Sequence, residues 1–556
     1  MDDFFAHYYR TNPVSATFTG MHDFDDRLPD WSCAAREADV LTMRALHDAL
    51  ERSHPRGPRP MEMMRDDPVA LDAELARANL ETRIAEHDSG FFIDRNPALW
   101  TGEAIFGPVS LMLREFAPVH ERLPSLGSRL AAIPGFLGTM RATIAGPIPA
   151  RWRARAVREC TAAMALFSDG LEGWLSVHGG SPSLVRAAAR DAVAAFETTR
   201  AWLEGRDTAA DEAYSAGESL FSTMLERGHF CATPPRELLA RAEGAMVREQ
   251  HALHQALAER GTDWTGAQAA MAADHPGATE YYGAFARRWV EIRSGVLAQD
   301  GVTWPDWPIR YVPIPGWARA TAPGLYWLFY RSPSPFDPYD VHDYAVAPVD
   351  DTMSDDEQRD RLAAWNHSTI TLNHVVHHGG VGHHVQNWHA VHRSSLRVGR
   401  VAAVDCASRI GMFQGGSMAE GWACYATGLT EELGLLSPLE QLSEQHTRVR
   451  LLARAIVDQR LHLGDWTFTE CVRYYEAQTG MSPEVAAAET TKNSMFPATA
   501  LMYWLGTQGI LDLRASVRET AGASFSLRAF HDELLGRGSI PVLLAARLMR
   551  PDMEHA

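Results

Sequence analysis

Apolar residues recur three and four positions apart through long stretches of this chain, as in SRLAAIPGFLGTMRATIA (128–145), PPRELLARAEGAMVREQHALHQALAER (234–260) and QHTRVRLLARAIVDQRLHL (445–463). That spacing lays an apolar stripe along a helix, and the stripe needs a partner to cover it, so a mainly α, large helical fold is expected. Helix starts are legible too. Pro-Pro before Glu237 and Ser-Pro before Glu484 put proline in a first turn, where its missing N–H costs nothing. Between Gly301 and Pro348 the pattern gives way to short alternating runs rich in Pro, Trp and Tyr, which suit extended loops and a small β element. The expected division is an N-terminal helical half, residues 1–300, and a second half, residues 301–556, that holds the chemistry-bearing motifs. SPLEQL (437–442) and DDTMSDDEQRD (350–360) are expected to be exposed connections.

Charge narrows the partners. With 70 acidic against 52 basic side chains, the formal charge is −18, which repels phosphate backbones and anionic lipid. Nucleic acid and membrane are therefore set aside, and a small molecule or short peptide-like substrate is expected. No apolar run reaches the roughly 18 residues a bilayer needs, and the acidic, aromatic start MDDFFAHYYR is unlike a secretion signal, so a cytoplasmic protein is expected. The six cysteines lie far apart with no CxxC pair, which favours reduced core thiols over disulfides or a thiolate zinc site. Among the 52 Lys and Arg residues one alone is lysine, Lys492.

The stretch LNHVVHHGGVGHHVQNWHAVH (372–392) holds seven of the 24 histidines. Helices of zinc hydrolases present two His on one face with a Glu that deprotonates bound water, commonly as HExxH. Here His377 and His383 are six apart, and an ideal helix would turn them about 240° from one another. The glycines at 379, 380 and 382 argue against an ideal helix, and a bulge at Val381-Gly382 would restore a shared face. Spacing alone leaves both a metal pair and purely structural histidines open.

Several ordered blocks resemble a known family. VVHHGGVGHHVQ (375–386) is similar to the HExxPGHHxQ signature of a large family of bacterial metallopeptidase-like proteins, classed as a domain of unknown function and grouped with gluzincin-type zinc peptidases. MAEGWACYATGLTEELGLL (418–436) resembles its EGWAxY block, and RVRLLARAIVDQRLHLGDWTFTECVRYY (448–475) resembles its RxxRxxVDxGLH block. ETTKNSMFPATALMYWLG (489–506) and FSLRAFHDELLGRGSIPVLLA (525–545) match its later blocks, and fainter similarity reaches the N-terminus. The resemblance implies a zinc-metallopeptidase-like fold with a central cleft, acting on acylamino or oligopeptide substrates. It puts the metal ligands on His377, His383 and Glu420, with His384 as rival second ligand. Such a set leaves positions open for water and substrate. Asp458 and His462 fall on the family's DxxxH and are either supports for a ligand or an intrahelical polar pair.

Departures from the family pattern carry as much information. His378 replaces the catalytic Glu, Val381 a Pro, Lys492-Asn493 an Arg-Tyr pair, and Ala498-Thr499 a Gly-Gln pair, while Tyr503 is kept. His378 becomes either a base or a ligand, and losing a positioned base typically costs about 10²–10⁴ in rate. Lys492 either anchors a substrate carboxylate or serves as base or nucleophile. Tyr503 is placed to donate to a developing oxyanion. YWLFYRSPSPFDPYD (326–340), with Tyr330, is expected to give the substrate an extended edge. The functions that follow are a Zn2+-dependent hydrolase of an amide-type bond in a small molecule or modified amino acid, diverged from peptidases; a non-haem Fe2+ (or Mn2+) enzyme on the same triad; or a pseudopeptidase without turnover.

Overall fold

In the computed structural model, which describes residues 1–56, 60–179, 182–325, 330–338, 341–407 and 409–550, each long periodic stretch is a helix. These include α1 (Val119–Thr143), α2 (Pro235–Glu259) and α3 (Tyr281–Ala298). After them come α4 (His383–His392), α5 (Gly416–Glu432), α6 (Pro438–His462), α7 (Pro483–Met495) and α8 (Met502–Ala521). The chain is 72% helical and mainly α. Its strands are β1 (Ile309–Pro313) and β2 (His342–Val346), paired in parallel with Tyr311 opposite Tyr344. Among the described residues no helix is long and apolar enough to cross a membrane.

Helix starts follow the expected chemistry, and two were missed. Pro235 occupies the first turn of α2, and the Ser482 side chain accepts from the N–H of Val485 at the start of α7. SPLEQL and DDTMSDDEQRD are not mere connections. Ser437 with Glu440, and Ser354 with Glu357, form reciprocal capping boxes that open α6 and the helix Asp355–Ala364. Of the six cysteines, none is paired; five are buried as expected, and Cys33 is exposed.

The helical run ends at Ala298, yet the interior crosses that point. One large hydrophobic core joins Trp100 and Trp152 to Tyr475 and Leu501, and a second joins Leu75 and Phe285 to Val381 and Trp422.

Within the second core the histidine-rich stretch does not run as one helix. Ile370–Gly379 is π-helical, the chain breaks at residues 380–382, and α4 then begins at His383. The break spans one residue more than the expected bulge and follows a widened turn. The N–H of Gly382 reaches back to the carbonyl of Val376 at 2.9 Å. Close approach dictates the glycines here: a Cβ on Gly382 would overlap the His377 carbonyl, and one on Gly380 would lie 2.5 Å from the Val375 oxygen. Carbonyls released by the break find indoles instead, since Trp289 Nε1 donates to Gly379 O and Trp422 Nε1 to Val381 O, each at 2.8 Å. Buried carbonyls left unmet would cost about 1–3 kcal/mol apiece.

Gly382→Ala is expected to lower the unfolding temperature, as overlap in a packed interior costs about 1–3 kcal/mol. Gly135→Ala is the control: it lies inside α1 with nothing within 4 Å of the new methyl, and should be neutral or stabilising by about 0.5–1 kcal/mol. Thermal melts beside the parent check this, and equal behaviour of the two variants would show that the break tolerates a side chain.

Candidate functional site

The break swings His383 back over His377, bringing their rings to 4.8 Å between centroids at 87°. Glu420, on the facing α5, completes the group. Its Oε2 lies 3.3 Å from His377 Nε2 and 3.6 Å from His383 Nε2. That oxygen is buried and accepts no hydrogen bond from a described residue, so the two imidazoles approach it without the alignment of a hydrogen bond. His378 joins from the same turn, and the donor atoms of His377, His378 and His383 all lie within 4.8 Å of one another.

Burial disfavours charge on the imidazoles, and holds His377 and His378 below the usual histidine range. At His383 the nearby Glu420 outweighs burial and raises it. Burial alone would push the Glu420 carboxyl up, but His377 and His383 hold it well below the usual range. The group therefore offers an ionised carboxylate and, at His377 and His378, neutral imidazoles, which are forms a divalent cation binds, while at His383 a cation would displace the proton that Glu420 favours. The donor set fits such an ion, because the unpartnered Glu420 oxygen faces two ring nitrogens at near-coordination spacing.

A solvent-open cavity lies beside Glu420, with Arg454, Lys492 and Tyr503 among its lining residues. The helix crossing that puts Tyr503 there is tight: a Cβ on Gly421 of α5 would lie 2.5 Å from Cα of Gly506 of α8. Arg454 stacks 5.1 Å over the Tyr503 ring and donates to Glu489 at 2.7 Å. Burial pushes the Glu489 carboxyl up, but Arg454 and then Lys492 bring it down to about 2. The Lys492 ammonium stands 6.0 Å from the Tyr503 centroid and makes no hydrogen bond or ion pair with a described residue. Asp405 also lines the cavity; its Oδ2 accepts from Ser332 N and Oγ at 3.2 and 2.9 Å, and burial raises its carboxyl.

Two expectations need correction, and one open alternative is decided. His384 is no rival ligand, because both its nitrogens are engaged elsewhere, with the Tyr330 hydroxyl at 3.3 Å and the Trp307 carbonyl at 2.8 Å. Tyr330 offers no edge to a substrate: it is 2% exposed and stacks behind His383 at 6.2 Å. Residues 326–329 and 339–340 of that segment lie outside the described residues. Asp458 and His462 form the intrahelical pair, 3.6 Å apart, and support a turn instead of a ligand. Asp458 accepts from the N–H groups of Ala498 at 3.1 Å and Leu501 at 2.8 Å, while His462 meets the Asn493 carbonyl at 3.1 Å. That turn holds Ala498 at φ +60°, the conformation glycine adopts freely.

Sequence reading also passed over Arg454, Asp405 and Cys424. Arg454 is four residues before Asp458, and Cys424 four after Glu420, so helical spacing put each on the face of a residue already in view. The Cys424 sulfur lies 3.9 Å from His377 Nδ1, and burial keeps it a neutral thiol. Nothing local marked Asp405.

Comparison with known proteins agrees with this architecture. A solved structure from Shewanella oneidensis, described as a lipoprotein of unknown function, is 20% identical with a TM-score of 0.74, covering 99% of this chain and 98% of its own. Another, from Colwellia psychrerythraea and described as a lipoprotein, is 15% identical with a TM-score of 0.73, covering 100% and 98%. At those identities the likeness shows the fold. No curated protein matches. A family model for a "Bacterial protein of unknown function (DUF885)" matches residues 13–549, and the chain belongs to that family.

Proposed function

We propose that this chain is a metal-dependent enzyme in which His377, His383 and Glu420 hold a divalent cation, with Zn2+ the first candidate and Fe2+ or Mn2+ the alternatives. One observation carries the reading. A buried carboxylate oxygen without a hydrogen bond stands 3.3 and 3.6 Å from two imidazole nitrogens, an arrangement that is costly unless something positive lies between them.

A cation there would supply Lewis acidity toward a carbonyl-type oxygen. The chain's own groups then divide the remaining work. Lys492, which lines the cavity and acts on Glu489 only at a distance, receives an anionic end of the substrate. Tyr503, between the cations Arg454 and Lys492, is positioned to donate toward developing negative charge. Asp405 is a second cleft carboxylate suited to proton transfer, since burial favours its protonated form. The resemblance to zinc peptidases supports cleavage of an amide-type bond. His378, in place of the family's Glu, supports a small molecule or modified amino acid as substrate over ordinary peptides.

Protein purified without added metal is expected to carry close to one equivalent by elemental analysis. His377→Ala and Glu420→Ala should lose it and melt lower, since an ion present at 100 times its Kd stabilises the fold by about 2.7 kcal/mol. Unchanged metal content in both variants would remove these residues from the site. For Lys492, binding of a series of ω-carboxyalkyl hydroxamates and their methyl esters should discriminate. The tightest acid should lose about 1.5–3 kcal/mol in Lys492→Ala, with its ester unaffected and Lys492→Arg near normal. Equal losses for acid and ester would place Lys492 outside anion recognition.

A further inference from the structure

We propose that His378 is a fourth protein ligand, so that the centre is built from three imidazoles and one carboxylate. The inference rests on the metal reading above and goes on to its coordination number. Three observations converge. The His378 ring lies 4.6 Å from that of His377 and 5.3 Å from that of His383. The donor atoms of all three lie within 4.8 Å of one another, close to the roughly 4.2 Å that separates opposite donors on an ion with bonds of about 2.1 Å. His378 Nδ1 sits 2.6 Å from the Asn373 carbonyl. A carbonyl can only accept, so Nδ1 carries the proton, and Nε2 is the nitrogen left with a lone pair. Donation of the second ring N–H to a backbone carbonyl is the usual support of a ligating histidine.

Adjacent residues on an ordinary α-helix diverge by about 100°; in the π-helical turns of Ile370–Gly379 the His377 and His378 rings nonetheless lie side by side in one cluster. Tyr330 and Tyr344 close in behind His378, at 6.2 and 6.3 Å between centroids.

Four protein donors change which metal the centre suits. Tetrahedral zinc would be filled, as in closed structural sites, and would have no position for substrate. A six-coordinate ion of the Fe2+ or Mn2+ kind retains two positions. The ligand class that matches two such positions is a bidentate oxygen donor, such as an α-hydroxy or α-oxo carboxylate or a hydroxamate.

The test uses the full chain loaded with Co2+. X-ray absorption of the unmodified protein should fit three imidazoles and six light-atom ligands, and the visible absorption should be weak. His378→Ala should lose an imidazole and bind Co2+ at least ~10-fold more weakly, while the metal-free variant melts as the parent does. Two imidazoles in the unmodified protein, or unchanged affinity and spectrum in His378→Ala, would overturn the proposal while leaving metal binding at His377, His383 and Glu420 intact. A chain that takes up no metal would overturn both readings. If His378→Ala fails to fold, the imidazole count in the unmodified protein still decides.

Discussion

The break at residues 380–382 is the constraint on which the rest of the site depends. His377 and His383, six residues apart, would point in different directions along a regular helix. Unwinding the chain between them brings the two rings together, but it frees carbonyls in a dry interior. Trp289 and Trp422 meet those carbonyls with indole N–H groups. Glycines permit the approach of Gly382 to the His377 carbonyl and of Gly380 to that of Val375. Strain and desolvation at the break are thus offset by contacts from α3 and α5, and the second of these helices also delivers Glu420.

The cavity beside Glu420 depends on a different close approach. Gly421 and Gly506 let α5 and α8 cross at near backbone contact, which brings Tyr503 to the same cavity as Glu420. Asp458 then fixes the turn that precedes Tyr503 by accepting from two of its N–H groups. Cationic charge gathers at this cavity. Arg454 is neutralised by Glu489, whereas Lys492 has no described partner within ion-pair reach. The Glu420 carboxylate and the Lys492 ammonium line one cavity, the charge pattern that the proposed substrate, with a polar head and an anionic tail, would need.

Much of this was legible in the sequence, for physical reasons that also explain what was not. Helices with three-and-four apolar spacing were visible because their packing is local and periodic. The gathering of His377, His383 and Glu420 was visible through the family resemblance, while the residues alone suggested only that glycines would interrupt the helix. The capping boxes at Ser354 and Ser437 were overlooked because acidic, polar segments also describe loops. Tyr330 and His384 were misplaced because burial behind the cluster is a tertiary fact that neither spacing nor composition encodes. Asp405 escaped for the same reason: its position next to Ser332 comes from chain crossing far apart in sequence.

Anomalous diffraction from crystals of the protein, collected on either side of the absorption edge of whichever metal copurifies, locates that ion independently of any activity. The account predicts one strong peak about 2.1 Å from His377 Nε2, His383 Nε2 and a Glu420 carboxylate oxygen. A metal-replete crystal with no peak between these side chains, or with its ion bound elsewhere, would contradict it.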